Sequence, residues 1–87
     1  MRNLEVGVPL VHVTMRLFAV LRDTLGASTI DLDVPEGTSA TEAFEGIPEL
    51  AQWHGRIAFA RKDEMILHDT PLAEGDVLDC LPPVSGG

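Results

Sequence analysis

Residues 82–87 read "PPVSGG", and the sequence stops at Gly87. The group there that can do chemistry is the terminal carboxylate. Its ordinary pKa of about 3.3–3.7 leaves it ionised and nucleophilic at neutral pH. Gly86 and Gly87 carry no Cβ, so bare backbone can thread a narrow channel and the Gly87 carbonyl stays open to attack. Pro82 and Pro83 hold the start of the segment extended, with Val84 and Ser85 completing the lead to the glycines. Six extended residues reach roughly 20 Å. That is enough to enter another protein's site while a folded body stays outside. Taken alone, a terminal Gly-Gly is more often a frayed end, so the rest of the chain must decide.

Other residues offer weaker chemistry. Cys80 is the single cysteine. It is either a sulfur-handling nucleophile or, as the alternation of "VLDCL" favours, a small core residue sharing a face with Leu78. On that reading Val77, Asp79 and Leu81 share the other, wet face. His12, His54 and His68 match no metal-ligand spacing and read as solvated or singly hydrogen-bonded. Asp31 and Asp33 stand two apart on one strand face and read as solvated. Trp53 reads as core or core edge. Phe18 and Leu81 are apolar residues on the polar-facing side of their strands. They mark either a partner contact or the edge of the core.

These groups need a scaffold. "VHVTMRLFA" (11–19) and "TIDLDV" (29–34) alternate with period two, which predicts an antiparallel pair. "LRDTLGAS" (21–28) between them allows a helical turn ending near Gly26. "SATE" (39–42) is a capping box with Ser39 as N-cap, opening a helix that carries Ala40, Ala43, Phe44 and Ile47 inward. Gly46 and Pro48 stop it, and Pro48 opens a short turn covering Leu50 and Trp53. "IAFAR" (57–61) and "MIL" (65–67) predict two more strands, "TPLAEGD" (70–76) a turn with Gly75 at positive φ, and "VLDCL" (77–81) the last strand. The expected core is Val13, Met15, Leu17, Ile30, Leu32, Phe44, Ile47, Leu78 and Cys80. The order of elements predicts an α+β fold of β-grasp type: a mixed sheet of about five strands covered on one face by a short helix. Residues 1–10 read as an N-terminal extension, 11–81 as the β-grasp domain and 82–87 as the tail.

Composition narrows the function. Eighty-seven residues with 45% hydrophobic content suit one domain with one modest core. A binding or carrier role fits that size better than a deep enclosed active site. Fourteen acidic against six basic residues give a net charge of −8. Nucleic acid and acidic membrane surfaces are therefore poor partners, and a basic patch on a protein is the electrostatic complement. One cysteine allows no intrachain disulfide, pointing to a reducing cytosol. It also excludes a four-cysteine iron–sulfur site. Neither a signal peptide nor a membrane span is expected.

"RLFAVLRDTLG" (16–26), "VPEGTSATEAF" (34–44), "PLAEGDVL" (71–78) and "PPVSGG" (82–87) together resemble the small subunit of molybdopterin synthase, of the MoaD/ThiS family of ubiquitin-like sulfur carriers. The chain departs from the family in its short, interrupted helical region and in having Cys80 and Leu81 before the prolines. The resemblance implies that a ubiquitin-activating-type enzyme uses ATP and Mg²⁺ to adenylate Gly87. A sulfur donor such as a cysteine desulfurase or rhodanese then displaces AMP to leave a thiocarboxylate. The large synthase subunit, in a heterotetramer, uses that sulfur to build the dithiolene of molybdopterin. Gly87 is then the acyl carrier and Gly86 gives access. Phe18, Leu81, Pro82, Pro83, Val84 and Ser85 contact partners. The carrier binds no cofactor or metal of its own, works in the cytoplasm, and leaves catalysis to its partners. Three other outcomes stay open: a carrier for thiamine or another thiolated product, a protein modifier joined through Gly87 to lysine, and an inert interaction module.

Overall fold

The computed structural model describes residues 8–83. In chain order these form β1 (Leu10–Leu17), α1 (Val20–Leu25), β2 (Thr29–Pro35), α2 (Ala40–Glu45), a 3₁₀ segment (Pro48–Trp53), β3 (Ala58–Arg61), β4 (Glu64–Ile66) and β5 (Val77–Leu81). The five strands make one mixed sheet in the order β2-β1-β5-β3-β4. β1 pairs antiparallel with β2 and parallel with β5; β3 pairs antiparallel with both β4 and β5. This is the β-grasp architecture expected from the sequence.

Alternation along β1 sends Val11, Val13, Met15 and Leu17 to the covered face, and Leu78 and Cys80 of β5 join them. The helical layer supplies Ala40, Ala43, Phe44, Ile47 and Leu50. Each fully buried Leu, Met or Phe among these contributes roughly 1.5–3 kcal/mol. The capping box forms as read: Glu42 N–H donates to Ser39 Oγ at 3.2 Å, and Ser39 N–H donates to Glu42 Oε1 at 3.0 Å. The 70–72 loop holds the same helix end, with Ala40 N–H donating to Thr70 O and Leu72 N–H to Thr38 O.

Four details differ from the sequence reading, beyond one-residue shifts in the bounds of β2, β3 and β4. β1 ends at Leu17, not Ala19. Ala19 takes φ 53° and is exposed, which reverses the chain so that α1 can insert Leu21, fully buried, into the core. The cover is therefore two short helices and a 3₁₀ segment rather than one helix. Ile30 and Leu32 pack on the core but remain half-buried, because β2 is an edge strand with a neighbour on one side only. At the other boundary, β1 begins at Leu10, and Pro9 O accepts from Glu36 N–H at 2.8 Å, inside the stretch read as an extension.

Candidate functional site: the tail root and the open sheet face

The tail leaves from β5, a central strand. In the parallel β1–β5 ladder Leu17 stands opposite Cys80. The next residues, Phe18 and Leu81, therefore lie level at the end of the sheet from which Pro82 and Pro83 depart. Leu81 is also paired across to Ala58 of β3. Both Phe18 and Leu81 are half-buried, and neither is among the side chains that form or pack on the core. Both readings of the two, partner contact and edge of the core, are compatible with this placement. Pro82 is half-buried and Pro83 exposed. Val84, Ser85, Gly86 and Gly87 lie outside the described residues.

The uncovered sheet face continues from this root. Arg16 lies over the Phe18 ring, its guanidinium carbon 5.5 Å from the centroid. Its Nε is 3.1 Å from Asp79 Oδ1. Asp79 is consequently only 17% exposed, drier than the alternation of β5 suggests. Its Oδ1 has no hydrogen-bond donor among the described residues, since the close Arg16 contact is an ion pair without hydrogen-bond alignment. Farther along, Met65 is 64% and Leu67 74% exposed. Met65 is in β4 and Leu67 directly follows it. Sequence reasoning missed Met65 and Leu67, because a three-residue strand is too short to fix which side faces out.

The remaining candidates resolve as structure. Cys80 is fully buried, and desolvation first, then the nearby Asp79 charge, push its thiol up to about 12. At that value it is not a nucleophile at neutral pH. Trp53 packs half-buried on the core. His54 meets the Phe44 ring edge-on at 5.6 Å, and His68 Nε2 is 2.6 Å from Ile57 O. His12 is held between carboxylates: its Nδ1 is 3.0 Å from Asp33 Oδ1 and its Nε2 3.5 Å from Asp31 Oδ1. The hydrogen bond to Asp33, opposed by desolvation and aided by the Asp33, Asp31 and Glu74 charges, raises its pKa from 6.5. No group of three His, Cys, Asp or Glu among the described residues is arranged to hold a metal ion.

The ThiS family model matches residues 15–87. The chain belongs to the ThiS family. The matched span takes in Phe18, Leu81 and the whole of 82–87. Among solved structures, small archaeal modifier protein 1 of Haloferax volcanii is 27% identical, with a TM-score of 0.75, over 85% of this chain and 99% of that one. A chain of the protein–protein complex of subunits 1 and 2 of the molybdopterin-converting factor from Helicobacter pylori is 29% identical, with a TM-score of 0.59, over 87% of this chain and 99% of that one. A putative molybdopterin converting factor subunit 1 from Pyrococcus furiosus shares the fold at 23% identity and a TM-score of 0.72, over 85% and 99% of the two chains. The fold is thus one that ThiS-type proteins share with ubiquitin-like modifiers. No helix of the described residues is long and apolar enough to cross a membrane.

Proposed function

We propose that this ThiS-family protein is a cytoplasmic sulfur carrier for molybdopterin synthesis. Gly87 attacks the α-phosphate of ATP on an activating enzyme, pyrophosphate leaves, and the acyl adenylate is converted to a thiocarboxylate. The open face around Phe18 and Leu81 docks the body of the domain while Pro82–Gly87 reach into the partner's site. ATP and Mg²⁺ belong to the activating enzyme, and the large synthase subunit consumes the sulfur. The observation that carries this reading is the side-chain-free Gly86-Gly87 terminus, six residues beyond the end of a central strand of a ThiS-family domain. The likeness to a molybdopterin-converting factor complex supports the choice of product.

A second reading, a protein modifier, is favoured by the likeness to small archaeal modifier protein 1. Both readings share activation at Gly87 and part at the acceptor. A carrier for thiamine or another thiolated product would use the same steps. Intact mass of the protein from its native host separates the classes. One oxygen replaced by sulfur marks a carrier, and lysine conjugates mark a modifier. Neither, after incubation with ATP, sulfur donor and activating enzyme, would refute activation altogether.

A further inference from the structure

The two edges of the sheet are unequal. At one, β4 has three residues; at the other, β2 has seven, Thr29–Pro35. β2 pairs with β1 alone, so alternate residues turn their backbone N–H and C=O groups away from the sheet. Two bonds at the ends of the ladder fix which residues these are. Leu17 N–H donates to Ser28 O at 2.8 Å, and Glu36 N–H donates to Pro9 O at 2.8 Å. At the opposite phase, Thr14 N–H donates to Asp76 O, on the β5 side of β1. Ile30, Leu32 and Val34 therefore exchange bonds with β1, and Thr29, Asp31 and Asp33 direct theirs outward. Pro35 O is already taken, by Thr38 N–H at 3.0 Å and Thr38 Oγ1 at 2.6 Å. The open edge thus runs over residues 29–33.

The side chains along this edge form two rows. Ile30, Leu32 and Val34 pack on the core but stay half-buried. Asp31 and Asp33 lie on the open face, their side chains 66% and 64% exposed. Both carboxylates meet β1 through Oδ1. Thr14 Oγ1 donates to Asp31 Oδ1 at 2.7 Å, and His12 Nδ1 is 3.0 Å from Asp33 Oδ1. Neither Oδ2 has a hydrogen bond or ion pair among the described residues.

We propose that the outer edge of β2 accepts an extended segment of a partner protein as a sixth strand, and that this segment alternates apolar and basic residues. Its backbone pairs with the outward groups of Thr29, Asp31 and Asp33. Its basic side chains stand beside Asp31 and Asp33, where Oδ2 of each is open, and its apolar side chains cover Ile30, Leu32 and Val34. The pattern apolar-basic-apolar-basic-apolar serves either strand direction. Charge excludes a second copy of this chain as the occupant. An antiparallel β2–β2 pair about Leu32 sets Asp31 opposite Asp33 of the second copy, twice over, and like charges directly opposite destabilise a pair. The net charge of −8 adds to that repulsion and favours a basic segment. β1 separates this edge from the tail-bearing β5, so the proposal does not rest on the activation of Gly87.

The test is amide hydrogen exchange by NMR on the full-length protein. The probe is a blocked peptide, Ser-Val-Lys-Val-Lys-Val-Ser, and the control is the same peptide with glutamate for both lysines. In the free protein the amides of Ile30, Leu32 and Val34 should be protected, and those of Thr29, Asp31 and Asp33 should exchange freely. The lysine peptide at saturation should slow exchange at Thr29, Asp31 and Asp33 by roughly tenfold or more. Asp31→Asn combined with Asp33→Asn should remove the preference for the lysine peptide over the glutamate peptide. Asp31→Pro, which deletes an outward N–H and leaves the β1 ladder its bonds, should weaken binding with an unchanged circular dichroism spectrum. No binding of the lysine peptide, or equal binding of the glutamate peptide, would overturn the inference and leave the aspartates as guards of an unpaired edge. Shifts at Arg16, Met65 and Leu81 in place of the edge amides would overturn it too. So would edge protection in the peptide-free protein that rises with protein concentration, because the occupant is then a second copy.

Discussion

Leu17 and Cys80 are partners at the last rung of the parallel β1–β5 ladder, and each is followed by an apolar residue outside the core. The core pair thereby fixes where Phe18 and Leu81 sit relative to the tail. If these two form the docking surface, Leu81→Glu should weaken binding to the activating enzyme or large synthase subunit by roughly tenfold or more, about 1.4 kcal/mol, because an unpaired carboxylate is then buried at the contact. The isolated domain should stay folded. Wild-type affinity by calorimetry, with an unchanged circular dichroism spectrum, would count against the patch. Association should also slow as salt rises, given the net charge of −8.

His12 supplies a pH-dependent contact between β1 and β2. Its folded pKa is raised, first by the hydrogen bond to Asp33. The stabilisation is therefore fully present below the unfolded value near 6.5 and is lost as pH rises through the folded value. The effect on stability should be small, since the ring is exposed and screened. Proton NMR titration should give His12 a pKa above that of a free imidazole, and Asp33→Ala should lower it. An unshifted His12 would show that the contact is not populated in solution.

Cys80 should be inert in the native state. With its thiol pushed up to about 12 and no exposure, Ellman's reagent at pH 8 should label it only after denaturant is added. Rapid labelling of the folded protein would mean that the β5 core opens readily, or that sulfur chemistry is done there after all.

Ser39 caps α2 through two reciprocal hydrogen bonds. Ser39→Ala should cost about 0.5–2 kcal/mol, read as a lower urea midpoint with unchanged m-value, and should leave sulfur transfer intact. An unchanged midpoint would mean that the 70–72 loop, not the serine, holds this helix end.

The strands, the capping box, the stop at Gly46 and the turn at Gly75 were legible because each is a local pattern: period two, a four-residue signature, a glycine closely followed by a proline, and a glycine at positive φ. Phe18 was legible as an outlier of alternation, although not as a residue already past its strand. The reversal at Ala19 depends on Leu21 finding a place in the core, which no local signal reports. The His12–Asp33–Asp31 contact needs the β1–β2 register, which pairs His12 with Asp33; composition and spacing do not fix register. The turn at Lys62 and Asp63 between β3 and β4 was legible only as a gap between two apolar runs, since Lys-Asp is not a usual type I′ pair and the closing Arg61–Glu64 rung appears only once β3 and β4 are aligned.

The most direct test of the central claim is pyrophosphate exchange by the cognate activating enzyme with a chain lacking Gly87. Without that residue the carboxylate falls roughly 3.5 Å short of the α-phosphate, and attack needs the reacting atoms within about 3–3.5 Å. Exchange should be abolished while the fold is kept, because residues after Pro83 follow the last strand. Gly86→Val should be nearly as harmful by obstructing the channel, and Pro83→Ala much milder. If the shortened chain exchanges pyrophosphate at the normal rate and gains sulfur by intact mass, Gly87 is not the acyl carrier and the proposed function is wrong.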